Sequence, residues 1–344
     1  MMTNLAQADR YDTLAMARDR IARRCAGELE RRGLSWRPLA REHGLDLAPT
    51  TAPATWVLAR NQHAFLRDAE RLAADPYLAW SLGAFDLHDL GVFGYATLSA
   101  PDLRAALLTM TELAALESEA ANLALVEQSG TATLVQRFPA NSATAAAWLH
   151  FLLSALSALV GPDLRPLRLG LPAAAPELVQ GLSAQVSLAV EEVRAPVVFV
   201  TFGRHLLDRP LHATDERLSR VLTSLWREER NTLAARHAEL VALADAIIPL
   251  LARGTPTPAG LAHVLGLSTA ELQGKLDHVG SSLSRIVDAI RSGLAVRLLA
   301  DADMTMAAAS EALGLPDGKT LARAYRRWWG TLPRDGRKLA RGCT

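Results

Sequence analysis

The chain has 344 residues, half of them apolar and about a fifth charged, with a formal net charge of +1. That balance excludes a disordered chain and supplies enough residues for two domains, each able to bury its own core. Two cysteines at opposite ends, Cys25 and Cys343, exclude a disulfide framework and read as reduced thiols.

The opening MMTNLAQADRYDTLAMARDR has no basic segment followed by an apolar run and a cleavage site, so a cytoplasmic location is expected. Between Tyr11 and Arg41, Leu14, Ile21 and Leu29 recur at helical spacing among arginines and acids, which predicts one amphipathic helix or a pair. The stretch Pro49 to Pro53 ends it. A further helix is expected from Thr55 to Ala74, closed by Asp75-Pro76. Thr131 to Phe138, Leu167 to Leu171 and Ala195 to Phe202 are alternating, short and apolar, or β-branched, and predict three strands. Between the first two, Ala145 to Leu159 reads as a buried helix. His150, Ser154 and Ser157 interrupt it, and it falls short of the roughly 20 residues of a bilayer span, so no membrane association is expected. The first part of the chain is therefore a mixed α+β domain.

From Thr214 onward the pattern is wholly helical. Helices are expected from Asp215 to His237 and from Glu239 to Ala252, the latter ending before Gly254-Thr255-Pro256. The boundary falls near 232 to 238, giving domains of residues 1–235 and 236–344. In the second domain Leu265-Gly266-Leu267 recurs as Leu313-Gly314-Leu315, each copy lying between two helical segments. Thr257, followed by Pro258, and Thr305 can cap the helices before the two turns. Ser268-Thr269-Ala270-Glu271 has the spacing of a capping box, and Asp317 can cap a helix from Gly318 to Trp328. A tight turn between helices crossing near 90 to 120° needs the backbone freedom of glycine, so the domain is all-α with two helix-turn-helix units. The segment from Ser281 to Ala300, with Leu283, Ile286, Ile290, Leu294 and Leu298 on one stripe, forms the long helix joining them. Its length of roughly 30 Å suits two recognition helices in major grooves about 34 Å apart on one face of B-DNA.

Charge supports a polyanionic partner. From Asp317 onward Lys319, Arg323, Arg326, Arg327, Arg334, Arg337, Lys338 and Arg341 face only Asp317 and Asp335. Lys319, Thr320 and Arg323 share one side of the second recognition helix and are candidates for groove or phosphate contact with double-stranded DNA. Arg326, Arg327 and Arg337 are candidates for phosphate clamps, because late positions of such a helix leave the groove. The first recognition helix, TAELQGKL, offers Thr269, Gln273 and Lys275. Gln suits an adenine edge, and Lys a guanine or a phosphate. Tyr325 and Trp328 read as core.

These residues resemble the AraC/XylS family of transcription regulators. The match is closest over LARAYRRWWGTLPRDGR, where Arg323, Tyr325, Arg326, Arg327, Trp328, Gly330, Pro333 and Arg337 stand in the places of the family's ending. Upstream, LGAFDLHDLGVFGYATLSAPDLRAAL resembles the arabinose-binding-like N-terminal domain of ornithine-utilisation-type regulators. The resemblance implies a DNA-binding activator controlled by a small-molecule effector bound in the N-terminal sensing domain, with RNA polymerase and a second copy of the chain as partners, no cofactor and no enzymatic activity. The sequence departs from the family at Ala270 and Gly274, where basic residues are common. A ligand-sensing or protein-interaction module with weakened DNA contacts is the alternative.

Other chemistries find little support. Gly314 to Thr320 is one residue short of a phosphate-binding loop and has no strand before it. No Gly-x-Ser-x-Gly elbow is present. The nine histidines include no pair at i, i+4, and His88 and His150 read as core or pocket-edge groups.

Overall fold

In a computed structural model of the chain, the residues described are 14–49, 54–137, 145–161, 164–172, 176–193, 195, 197–211, 216–301 and 303–333. The chain divides into two compact units. One takes Ala17–Thr55 and Phe65–Thr232, the other Met1–Met16, Trp56–Ala64 and Leu233–Thr344.

The first unit is a mixed α and β domain. It holds a five-stranded sheet of β3 (Asn122–Glu127), β4 (Thr131–Arg137), β5 (Arg168–Pro172), β6 (Val190–Val193) and β7 (Val197–Gly203), in the spatial order β3-β4-β7-β5-β6. Neighbours run antiparallel except β5 and β6, which are parallel. Alternation decides the buried face. Ala132, Leu134 and Gln136 of β4 stand opposite Phe202, Val200 and Val198 of β7, and all six are buried. Against β5 and β7 packs helix α7 (Ala145–Val160), whose apolar residues all round account for its burial, and α8 (Pro176–Val186) lies between β5 and β6 in the chain.

Before the sheet come α1 (Arg20–Arg31), α2 (Arg37–Glu42), α3 (Ala59–Ala73), α4 (Leu78–Leu82), α5 (Val92–Leu98) and α6 (Leu103–Leu113). The two glycines of LGVFGY, Leu90 to Tyr95, have distinct reasons. Gly91 turns the chain at φ 60°, and a Cβ on Gly94 would lie 1.5 Å from the carbonyl oxygen of Leu87. Asp102 caps α6 by accepting from Ala105 N at 2.8 Å. A fully buried Asp19 accepts from Arg23 Nε at 2.7 Å, Thr55 N at 2.9 Å and Thr55 Oγ1 at 2.7 Å, so its charge is matched and its oxygens are occupied. His150 stacks on Trp80 with ring centroids 4.3 Å apart, and its Nδ1 lies 2.7 Å from the Trp80 carbonyl oxygen, which makes it a packing residue of α7. His88, expected as a core or pocket-edge group, is instead exposed beside Asp86, where the short turn it sits on leaves it in solvent. Cys25 is buried, its thiol pushed up to about 12 by desolvation, while Cys343 lies outside the described residues.

Several boundaries differ from those expected. Short strands β1 (Met16–Arg18) and β2 (Trp56–Leu58) stand where the spacing predicts helix. Three residues are too few to show a period of two, so neighbouring helical spacing masks them. The strands β3 and β6 fall where no strand is expected. In β3 the sequence NLALVE is an apolar run without clean alternation, and β6 is an edge strand of four residues. The two helices expected on either side of Ala238 are one continuous helix, α9 (Glu216–Leu251). No glycine or proline separates them, and the helix ends at Leu251, three residues before Gly254, whose φ is 115°.

Apart from the short strand β2, which falls within it, the second unit is helical. Besides the end of α9 it contains α10 (Pro258–Leu265), α11 (Thr269–His278), α12 (Leu283–Ala300), α13 (Met306–Ala312) and α14 (Gly318–Trp329). One core joins Leu240, Leu243, Ile247 and Leu251 to Leu261, Leu272, Leu276, Ile286 and Ile290, and takes in Leu14, Met16 and Leu58 from far upstream. A second core gathers Ala295, Leu299, Leu313, Leu321, Tyr325 and Trp328. Of the residues expected on the α12 stripe, Leu283, Ile286 and Ile290 are buried, and Leu294 and Leu298 are partly so.

Candidate nucleic-acid interface

Each helix of the interface starts where a side chain closes its first turn. Thr257 Oγ1 accepts from Gly260 N at 3.1 Å, Thr305 Oγ1 from Ala308 N at 3.1 Å and Asp317 Oδ1 from Thr320 N at 2.6 Å. Ser268 and Glu271 form a reciprocal capping box. The Asp317 carboxyl is held below its usual range by the Thr320 backbone N–H, and Glu271 likewise by Ser268 N.

The two Leu-Gly-Leu turns share a left-handed backbone, with φ 67° at Gly266 and 62° at Gly314, but not their surroundings. A Cβ on Gly266 meets nothing within 4 Å. One on Gly314 would sit 2.3 Å from Leu251 O and 2.8 Å from Gly254 O. Arg291 of α12 secures this approach: Nε donates to Leu313 O at 2.8 Å, and Nη2 to Gly314 O and Thr255 Oγ1, each at 3.0 Å. Two carbonyls and a hydroxyl thus satisfy a half-buried guanidinium, and the second turn is tied to the loop that follows α9.

The recognition helices present different chemistry. In α14, Leu321, Tyr325 and Trp328 are buried, as expected of the last two. Lys319, Arg323, Arg326 and Arg327 are exposed and Thr320 is partly so, giving four cations and no acid in GKTLARAYRRWW. Arg323 Nη2 reaches Thr320 Oγ1 at 3.4 Å, so the structure brings these two predicted residues together with Lys319 at one end of the helix. Arg327 differs. Its Nη2 donates to Asp288 Oδ1 of α12 at 2.6 Å. Arg337 lies outside the described residues.

In α11, Leu272 and Leu276 face the core, whereas Ala270, Gln273, Gly274 and Asp277 are exposed on the other side. Thr269 is exposed at the first position. Gln273 Nε2 donates to Asp277 Oδ1 at 2.8 Å, one turn on. Lys275 is turned to α9, where its Nζ meets Glu239 Oε1 at 2.7 Å, away from the exposed stripe. Glu271 and Asp277 outnumber Lys275 in this helix, so its surface offers little to a polyanion.

Sequence reasoning missed Arg60, Asp288 and Arg291. Arg291 is one of four charged residues on α12, with Arg285, Asp288 and Arg297, and no local pattern sets it apart from them. Arg60 joins the site only through the fold. Its burial lowers the guanidinium to about 10, against the pull of Asp288.

Among the described residues no group of three or more His, Cys, Asp or Glu side chains is placed to hold a metal ion, and no helix is long and apolar enough to cross a membrane.

Comparison with known proteins agrees with this architecture. The family model of the arabinose-binding domain of AraC transcription regulators, N-terminal, matches residues 33–211, and a helix-turn-helix domain model matches residues 261–339. The ornithine utilization regulator of Pseudomonas aeruginosa is 26% identical over 278 residues, covering 78% of this chain and 81% of that protein. An uncharacterized helix-turn-helix-type transcriptional regulator of Mycobacterium tuberculosis is 24% identical over 283 residues, 77% of this chain and 79% of that one. The crystal structure of the transcriptional regulator CdpR from Pseudomonas aeruginosa is similar with a TM-score of 0.41 and 22% identity, over 88% of this chain and 97% of that one. With an arabinose-binding-type domain over half its length and two helix-turn-helix units behind it, the chain belongs to the AraC family of transcription regulators.

Proposed function

We propose that the chain is an effector-controlled, sequence-specific activator whose DNA contacts are concentrated in the second helix-turn-helix unit. The observation that carries this is the exposed face of α14, where Lys319, Arg323 and Arg326 stand in the open behind a capped first turn. Lys319, Thr320 and Arg323 are assigned to the groove, Arg326, Arg327 and Arg337 to phosphates, and Thr269 and Gln273 to a minor share from the first unit. Lys275 contributes least, being neutralised by Glu239. The N-terminal domain binds a small molecule and shifts the population of DNA-competent states. The cytoplasm as location, RNA polymerase as partner and a dimer as the working form follow from the same reading.

The test is binding of the purified chain to a fluorescent duplex from its own upstream intergenic DNA, against a scrambled duplex, at two salt concentrations. Lys319→Ala with Arg323→Ala should abolish sequence preference while keeping most of the salt slope, which the phosphate contacts of Arg326, Arg327 and Arg337 set at about 0.9 each. Unchanged binding overturns the assignment. A second reading, a sensing or interaction module with weakened DNA contacts, is favoured by the acidic face of α11. Equal, weak binding to both duplexes would support it.

A further inference from the structure

Asp288 of α12 lies beside a helix assigned to a polyanion, where a carboxylate should repel. Its surroundings give it a use. Oδ1 holds Arg327 of α14 at 2.6 Å, and Oδ2 lies 3.8 Å from Nη1 of Arg60. The two arginines differ in exposure, with side chains 14% exposed for Arg60 and 45% for Arg327. The carboxylate therefore stands between a buried cation and an exposed one. Arg60 Nη1 has no hydrogen bond among the described residues, and the guanidinium lies 6.0 Å from the ring centroid of Trp328, a core residue of the second unit.

A buried guanidinium needs a counter-charge, and a carboxylate shared by two arginines leaves a net positive cluster. We infer that Arg60 and Asp288 are positioning residues for DNA recognition: Asp288 aligns Arg327 and seats α14 on α12, and Arg60 neutralises that carboxylate from the buried side so that it does not oppose the DNA. Arg60 thus serves the DNA-binding unit although it lies some two hundred residues before it in the chain and outside the matched helix-turn-helix residues. When Arg327 turns to a phosphate, Asp288 keeps a partner. The inference rests on the DNA-binding reading above.

The sign of one substitution tests it. If Asp288 is a bystander, Asp288→Asn removes a negative charge near DNA and tightens binding to every duplex. On the positioning role it weakens binding to the upstream duplex about tenfold, leaves the scrambled duplex unchanged or tighter, and removes footprint protection at the part of the site covered by the second unit only. Arg60→Met should also weaken specific binding, by exposing the DNA to an unneutralised Asp288. The double variant, which removes both charges, should bind better than the product of the two single losses, and it keeps the test open should Asp288→Asn fold poorly. Wild-type or tighter specific binding by Asp288→Asn, or strictly multiplicative losses, overturns the inference. Lys319→Ala with Arg323→Ala, run beside them, separates the two failures: if that pair loses binding and Asp288→Asn does not, only the positioning role falls.

Discussion

The two Leu-Gly-Leu turns are identical in sequence and share a left-handed glycine, so local conformation by itself gives Gly266→Ala and Gly314→Ala the same cost. That shared part, alanine in the left-handed region, is about 1 to 2 kcal/mol, partly offset by the reduced freedom of the unfolded chain. At Gly266 nothing more is added, because the new methyl enters open space. At Gly314 it would lie 2.3 Å from Leu251 O and 2.8 Å from Gly254 O. Both atoms are backbone and cannot swing away, so the turn must withdraw by about 1 Å from neighbours that Arg291 holds in place. Forced overpacking of this kind costs about 1 to 3 kcal/mol. Gly314→Ala should therefore exceed Gly266→Ala by that amount, measured as the difference in urea midpoints by circular dichroism. Hydrogen exchange of peptides spanning 251–266 and 306–329 should place the loosening in the second unit. Equal losses, or a larger one at Gly266, would refute the close approach and with it the rigid anchoring of the second turn.

Three further outcomes follow from the same geometry. His63, on α3, is held down at about 4 by desolvation; a histidine depressed from 6.5 contributes stability that is present above 6.5 and lost as pH falls towards 4. Between pH 7 and 5.5 the loss is on the order of 1 kcal/mol, and thermal melts of His63→Gln should show a correspondingly flatter response than wild type. Asp317→Ala should cost about 1 kcal/mol through the missing cap of α14, while Asp317→Asn, which still accepts from Thr320 N, should cost only a few tenths. Lys275→Ala should leave DNA affinity within twofold, whereas Glu239→Gln, by releasing Lys275, should raise non-specific affinity and steepen the salt slope by up to one.

The parts legible in the sequence are those encoded locally. Thr257, Ser268, Thr305 and Asp317 each announce a helix start, and each caps the helix that follows. Tyr325 and Trp328 declare themselves by their spacing from Leu321 on one face of α14. Elements set by long-range pairing are harder to see: β3 is defined by its register with β4, not by a pattern of its own. The same holds for the site. Exposure of Lys319 and Arg323 follows from helical phase, but Lys275 has a helical phase compatible with partial exposure and is taken out of use by Glu239, on a helix 36 positions away. Arg60 is the extreme case, since no local pattern joins it to Asp288.

The divergence of the two units then has a physical reading. Both inherit the same turn, yet the first keeps it open to solvent and carries an acidic recognition face, while the second is clamped by Arg291, by the fit of Gly314 and by the Asp288 carboxylate, and carries the cations. Affinity gained from a surface arginine is reduced by the entropy of fixing it. A recognition helix whose base is already immobile loses less on binding, so cations placed there give more affinity per charge than the same cations on a looser helix. Concentrating the charges on α14 puts them where preorganisation is greatest. The first unit has Ala270 and Gly274 on its exposed face and, among the described residues, no free cation beside them, and the Gln273 amide is oriented by Asp277, which on the function proposed above suits it to a base edge and not to a phosphate.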